Sequence, residues 1–382
     1  MKITNWQTTE NEETKEISAD IDGFRLWYRL PKAHPFSRSG DPFLSIALLP
    51  AMLKGEALEI DPSLPVSPKL LGNTALLQEV HHAWNPLLKM IPIRAKTAPA
   101  EPINNGAFSF FSGGVDSTYT FLKRQQEISH VVFIHGFDFL LDPELFQRAV
   151  SRNTSFVRGF GKILIPVETN YFRFSYLHNL SRTLTQGSAL ASVALLLGFP
   201  RAYLPTSLSY NEIVPSGSHP LIDPFWSNES VQIVHDGAEA QRVDKVSRVA
   251  ENESALANLR VCFKDMNVNC GKCAKCLRTM ISLELVGASA VPFPVLSTPK
   301  ALRRVNWRME PIYLKENVEL ALRCGNKKLR RTLLAEMRKI ERLQLLKDVD
   351  RVLLGGLIKR ARRKISKANP EARWITAAPP KD

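Results

Sequence analysis

An α/β fold, with a parallel, doubly wound sheet carrying helices on both faces, is predicted by three observations. Short β-branched or aromatic runs alternate with helical stretches between residues 107 and 205. A serine-glycine-glycine turn joins the first of these runs to a helix. The 382 residues are 44% hydrophobic, enough to bury a sizeable core. In chain order, Gly23 to Leu30 alternates like a strand, Leu44 to Leu53 is apolar, and Asn73 to Leu88 has amphipathic helical spacing. Residues 1 to about 105 therefore read as an N-terminal α+β lobe, joined to the rest by the proline-bearing segment Pro92 to Pro102. Ala107 to Phe111 reads as a buried strand, and Thr118 to Gln126 as a helix with Tyr119, Phe121 and Leu122 available for packing. Val131 to Ile134 and Ile163 to Val167 follow as strands separated by the helical stretch Pro143 to Phe156. Gly187 to Leu197 is a buried helix and Ala202 to Leu204 another strand. A central domain over 106–290 and a basic, mainly helical extension over 291–382 complete this division. In a parallel sheet of this kind ligands sit at the carboxyl ends of the strands. Those ends are Ser112, His135 to Asp138, Glu168 to Asn170 and Pro205 to Ser207. One ligand is expected across the first two, near His135 and Asp138, and a second nearer the last.

The turn Ser112-Gly113-Gly114-Val115-Asp116-Ser117 carries the chemistry. Without β-carbons Gly113 and Gly114 can bend sharply and bring backbone N–H groups close to an anion at the positive end of the helix. Ser112 and Ser117 add hydroxyl donors. The carboxylate of Asp116 meets phosphate oxygens only with a cation between them, so magnesium is expected to accompany a bound nucleotide. The lysine and longer glycine loop of the Walker pattern are not present in this turn.

Cys262, Cys270, Cys273 and Cys276 are spaced C-x7-C-x2-C-x2-C, and Gly271 permits the tight bend of a metal knuckle. Four thiolates close a tetrahedral shell and leave no position for water, which suits a structural zinc holding a loop over the active site. The same ligands also suit an iron-sulfur cluster. Five cysteines, an odd number gathered mostly in one knuckle behind a polar start, point to a reducing cytoplasm instead of disulfides. The fifth, Cys324, reads as a free thiol.

In order and spacing, the two motifs resemble the 7-cyano-7-deazaguanine synthase-like family of the pyrophosphate-loop (PP-loop) ATP pyrophosphatases, over about Ala107 to Gly287. The resemblance implies a PP-loop/HUP-like fold and an ATP-dependent carbon-nitrogen ligase of queuosine biosynthesis. Such an enzyme adenylates 7-carboxy-7-deazaguanine for attack by ammonia. It places ATP on Ser112, Gly113, Gly114, Val115, Asp116 and Ser117, and zinc on the four cysteines. Asp116 and Lys245 become the catalytic candidates, Lys245 because it opens a helix where the family has a lysine before the knuckle. The chain departs from the family in its substrate segments, Thr206 to Tyr210 and Ser218 to Ser227. There Ser207, His219, Asp223 and Trp226 are candidates to stack on a flat base and bond its edge. With no cysteine before Cys262, an attached cysteine-type glutaminase is excluded, and free ammonia or an external amine is the expected nucleophile.

The formal charge is +14, and residues 300–382 hold 23 Lys and Arg against 9 Asp and Glu, which accounts for all of it. Leu329, Leu333, Met337 and Ile340 fall at helical spacing there, so one face can dock while a basic face points toward RNA, an acidic protein or an anionic membrane surface. Lys359 to Lys364 adds a further basic run. Such an extension also suits a relative repurposed in antiviral defence that joins a deazaguanine to a protein amine. A tRNA-thiolating enzyme, with redox-active or cluster-bound cysteines, is a further alternative. No apolar run reaches the roughly 18 residues of a membrane span, so a soluble, cytoplasmic protein is expected.

Overall fold

A computed structural model of the chain describes residues 1–137, 143–262, 269–288, 292–294, 302, 307 and 311–353, without the side chains of 344 and 346–353. The chain divides into two compact units, Met1–Arg260 and Val261–Asp382.

The first unit is built on strands β1 (Lys2–Glu10), β2 (Thr14–Ile21), β3 (Phe24–Pro31), β4 (Leu58–Ile60), β5 (Ile93–Arg94), β6 (Ala107–Phe110), β7 (His130–His135), β8 (Ile163–Thr169), β9 (Arg201–Pro205) and β10 (Gln232–Asp236). Its helices are α1 (Asp41–Lys54), α2 (Pro68–Trp84), α3 (Val115–Lys123), α4 (Pro143–Arg158), α5 (Tyr171–Leu177), α6 (Arg182–Leu197), α7 (Arg242–Ala250) and α8 (Glu253–Asn258), with a short 3-10 helix at Asp223–Trp226. The strands form one ten-stranded sheet in the order β10-β9-β6-β7-β8-β3-β2-β1-β4-β5. Pairing is parallel from β10 through β8 and again from β1 through β5; the antiparallel pairs are β8/β3, β3/β2 and β2/β1. The α/β class with a mostly parallel sheet is therefore as the sequence predicted.

Alternation along the central strands explains why both faces are covered. Phe108 and Phe110 of β6, Val132 of β7, Ile165 and Val167 of β8 and Ala202 and Leu204 of β9 join α1 and α6 in one core. The intervening positions feed the other face, where Phe111 lies 5.6 Å from Phe121 of α3 and 5.6 Å from Phe156 of α4. α6 is bounded by local chemistry: Ser181 caps its first turn by accepting from Leu184 N, and Gly198 ends it in the left-handed region.

Residues 1–105 share this sheet instead of forming a sheet of their own. β3 lies against β8, with Tyr28 opposite Thr169 and Arg29 opposite Glu168. The Asn170 amide clamps the junction, accepting from Trp27 N at 3.0 Å and donating to Arg25 O at 2.7 Å. The exposed polar half of β1 hid this from pattern reading, since only one face of that strand is apolar.

The second unit contains α9 (Ala274–Leu285), α10 (Pro311–Arg323) and α11 (Lys327–Leu353), with α10 packed on both α9 and α11. No helix among the described residues is long and apolar enough to cross a membrane.

Candidate functional site

The strand order reverses beside β6. From β6 the chain runs through α3 to β7 on one side, while β9, its other neighbour, leads on to β10. A crevice outside the carboxyl ends of two such strands is where an open α/β sheet binds ligands. The serine-glycine-glycine turn stands at the end of β6 and Thr206 to Ser207 at the end of β9. Gly113 has φ +74°, and a β-carbon there would lie 3.2 Å from Asn153 Oδ1, so backbone conformation and space both call for glycine. Arg260 N donates to Gly113 O at 2.8 Å and closes the outer side of the turn. Ser117 Oγ fixes the inside, accepting from Ser112 N at 3.1 Å and donating to Gly114 O at 3.1 Å.

α3 begins at Val115, three residues earlier than the sequence suggested, with Gly114 as its N-cap and no side chain capping it. The first-turn N–H groups of a helix have no carbonyl one turn back, and they carry the positive end of the macrodipole. Beside the turn, Asn153 Oδ1 accepts from Asn258 Nδ2 at 3.3 Å. The neighbouring Arg152 has Nε and Nη2 buried and bonded to no described residue. Burial and the nearby Arg260 push the pKa of Arg152 below the usual guanidinium value. Glycine turn, helix N-terminus and arginine pair together form a corner with the donors and positive charge that an anion could use.

Asp116, in the first turn of α3, is bracketed by cations. Arg242 Nη1 donates to its Oδ2 at 2.5 Å, and Lys245 Nζ lies 3.9 Å from Oδ1. Lys245 is fully buried on α7 and donates to Thr206 O at 2.7 Å, tying that helix to the end of β9. Asp236, at the end of β10, accepts from Thr120 Oγ1 at 3.0 Å and Arg124 Nε at 2.9 Å, which locks α3 in place. The structure thus places Asp116 and Lys245 beside each other. Arg242 and Arg152 escaped sequence reading because a lone arginine on a helix carries no motif.

The remaining residues fall into several environments. His135 ends β7, stacked 4.5 Å from the Phe146 ring with Nδ1 3.7 Å from Glu168 Oε2. Asp138 lies outside the described residues. Ser207 follows β9 and is half-buried. His219 is half-buried 5.0 Å from the Trp84 ring, and its Nδ1 accepts from Leu221 N at 3.0 Å. Two substrate expectations need correction. Trp226 is fully buried in the core, so its ring has no open face on which a base could stack. Asp223 is fully buried too, with Oδ2 2.7 Å from His235 Nδ1 and accepting from Ser218 Oγ at 2.7 Å. It ties the 3-10 helix to β10, a role no spacing in the sequence announces.

In the second unit the four cysteines converge, their sulfurs all within 4.8 Å of one another. Cys262 and Cys273 sulfurs are 4.0 Å apart and those of Cys270 and Cys276 3.9 Å. A tetrahedral shell with Zn–S bonds of about 2.3 Å has sulfur edges of about 3.8 Å. The set therefore fits one ion and could hold zinc, while its sulfurs stand too close to surround a multi-iron cluster. Gly271 has φ +63°, and a β-carbon there would fall 2.3 Å from Pro294 Cγ, which explains the glycine in the bend. Backbone N–H groups of Lys272 and Cys273 point at Cys270 Sγ, each at 3.4 Å, and Cys276 N points at Cys273 Sγ at 3.4 Å. Such N–H groups can offset the negative charge of a metal-bound sulfur. Among the described residues this is the one cluster of His, Cys, Asp and Glu able to hold a metal ion. Asp116, already matched by Arg242 and Lys245, does not make a magnesium site with protein groups alone. Cys324 stands apart and exposed. No family model, curated protein or solved structure matches this chain.

Proposed function

We propose that the chain is an ATP-dependent, adenylate-forming carbon-nitrogen ligase of the pyrophosphate-loop kind. The observation that carries the reading is the donor-rich corner at the strand switch point, where the Gly113–Gly114 turn meets the α3 N-terminus and the Arg152–Arg260 pair. A substrate carboxylate attacks the α-phosphorus of ATP, forming an acyl-adenylate as the bond to the β-phosphate oxygen breaks. Pyrophosphate then departs toward the turn, where backbone N–H groups and the two guanidinium groups offset the charge developing on it. Lys245, held at the end of β9, and Arg242 orient Asp116 beside the same phosphates. An amine attacks the acyl carbon, AMP leaves, and an amide forms with loss of one proton. Magnesium supplies charge neutralisation on the phosphates and would arrive with the nucleotide. The resemblance to the deazaguanine synthases names a 7-carboxy-7-deazaguanine-like acid as substrate, with ammonia or an external amine as acceptor. Convergence of four thiols on one point favours a structural metal over redox chemistry, and hence ligation over thiolation.

The test is release of AMP and pyrophosphate from ATP with 7-carboxy-7-deazaguanine, with and without ammonia. Asp116→Asn is expected to lower pyrophosphate formation by about a hundredfold, roughly 2.7 kcal/mol of barrier, with folding and metal content unchanged. A variant as active as the parent would remove Asp116 from the site. A parent protein that binds no nucleotide would remove the reading altogether.

A further inference from the structure

Helix α11 has two unlike sides. Leu329, Leu333 and Glu336 are buried and, at 3.6 residues per turn, share one side. On the opposite side Lys327, Lys328, Arg331, Arg338 and Arg342 are exposed, with half-buried Leu334 and exposed Ala335 between Arg331 and Arg338. Lys339 flanks this row and donates to Oε2 of the buried Glu336 at 3.5 Å. Glu341 is exposed at one edge of the row, three residues on from Arg338, and the central line of the row itself is basic. The row runs about 22 Å, about fifteen residue-to-residue rises of about 1.5 Å each.

We propose that this face of α11 binds the phosphate backbone of double-stranded RNA. Charge complementarity selects a polyanion, and the composition of the face narrows the choice. An amphipathic helix that inserts in a membrane needs its apolar side free, and here that side is buried. An acidic protein partner would be expected to meet clustered aromatic or aliphatic anchors, whereas the row sets five cations around half-buried Leu334 and exposed Ala335, with Leu345 exposed beyond Arg342. Single strands are held by stacking on aromatic side chains, of which the row has none. It also has no Asn or Gln to read base edges, so contact is with phosphate and independent of sequence. Of the two duplex forms, A-form RNA brings its two phosphate rows closer across a narrow major groove. A strip one helix wide laid across that groove can touch both rows, whereas the B-form major groove, about 12 Å wide, suits a helix free to enter it, and α11 is packed along its buried side on α10.

The inference is independent of the ligase reading and is tested on the full chain. Anisotropy of a labelled mixed-sequence RNA duplex about two turns long is measured from about 50 to about 200 mM salt. The combined substitution Arg331→Glu, Arg338→Glu, Arg342→Glu is expected to weaken binding at least a hundredfold near the low-salt end. It should also flatten the log–log salt slope by about three. The matching Arg→Gln set, which adds no repulsion, should give an intermediate loss, with circular dichroism and metal content unchanged in both. Undiminished binding by the Gln set overturns the proposal. So does a parent protein that prefers a DNA duplex, single-stranded RNA, phosphatidylserine vesicles or polyglutamate over the RNA duplex.

Discussion

At Arg152 a guanidinium is buried beside a second arginine, with Nε and Nη2 bonded to no described residue. Desolvating a cation without a carboxylate costs stability, and the cost is accepted where an anion is to be held. Arg152→Met is therefore expected to raise the melting temperature of the ligand-free protein and to weaken inorganic pyrophosphate and ATP binding about tenfold or more. Calorimetry with and without pyrophosphate reads both effects, and a lower melting temperature with unchanged affinity would make Arg152 a structural strut. His81 poses a separate question of pH. It is 1% exposed on α2, both ring nitrogens are buried without a described partner, and burial pushes its pKa down to about 4. The unfolded chain binds this proton near the usual value of about 6.5, so between the two values the unfolded state holds more protons and stability falls as pH drops. His81→Leu should gain on the parent by up to about 3 kcal/mol as pH falls from about 6.5 to about 4. Urea denaturation across that range measures the difference, which cancels contributions common to both, including that of Asp41, raised by burial to about 6. A gap that stays constant with pH would mean His81 is protonated in the fold.

Among the elements, the cysteine knuckle ties metal binding to helix formation. Cys273 is a metal-ligand candidate and also the N-cap of α9, its sulfur accepting from Cys276 N. Cys273→Ser keeps a capping oxygen and removes the thiolate, so the loss it causes reports the metal more than the cap. About one zinc per chain is expected in the parent, and metal-free, less helical or insoluble protein in the variant, since a closed thiolate site contributes to folding. A soluble variant of parental helicity would show that the knuckle holds without metal. The knuckle and the glycine turn were legible in the sequence because their chemistry depends on local spacing. So were the buried strands from Ala107 to Pro205 and helices α3, α4 and α6, where apolar runs are long, whereas the short α5 was not. The antiparallel pair β1 and β2 and the short β10 were not, because half their residues face away from the core and dilute the pattern. Asp223 and Trp226 were misread for a related reason: a proline-rich segment suggests an exposed loop, whereas the 3-10 helix buries both side chains.

For the first unit as a whole, the sheet decides what can be separated. A lobe ending near residue 105 would detach at the Pro92 to Pro102 segment, yet the strands before that segment occupy one end of the same sheet. Removing them would uncover the edge of β8 and the side of α6 that packs on α1, where Ala189, Val193, Leu196 and Leu197 are buried. It would also break the Asn170 clamp, the Tyr28–Ser192 hydroxyl contact, and the buried Asn228 Nδ2 to Asp41 Oδ2 bond of 2.8 Å. A chain beginning at residue 106 should therefore aggregate. The full protein, if nicked by protease within Pro92 to Pro102, should keep its two fragments together through gel filtration and release them only in denaturant. A soluble, nucleotide-binding product from 106–382 would instead show that the parallel strands β10 to β8 suffice for folding, and that β3 only covers an edge able to stand alone.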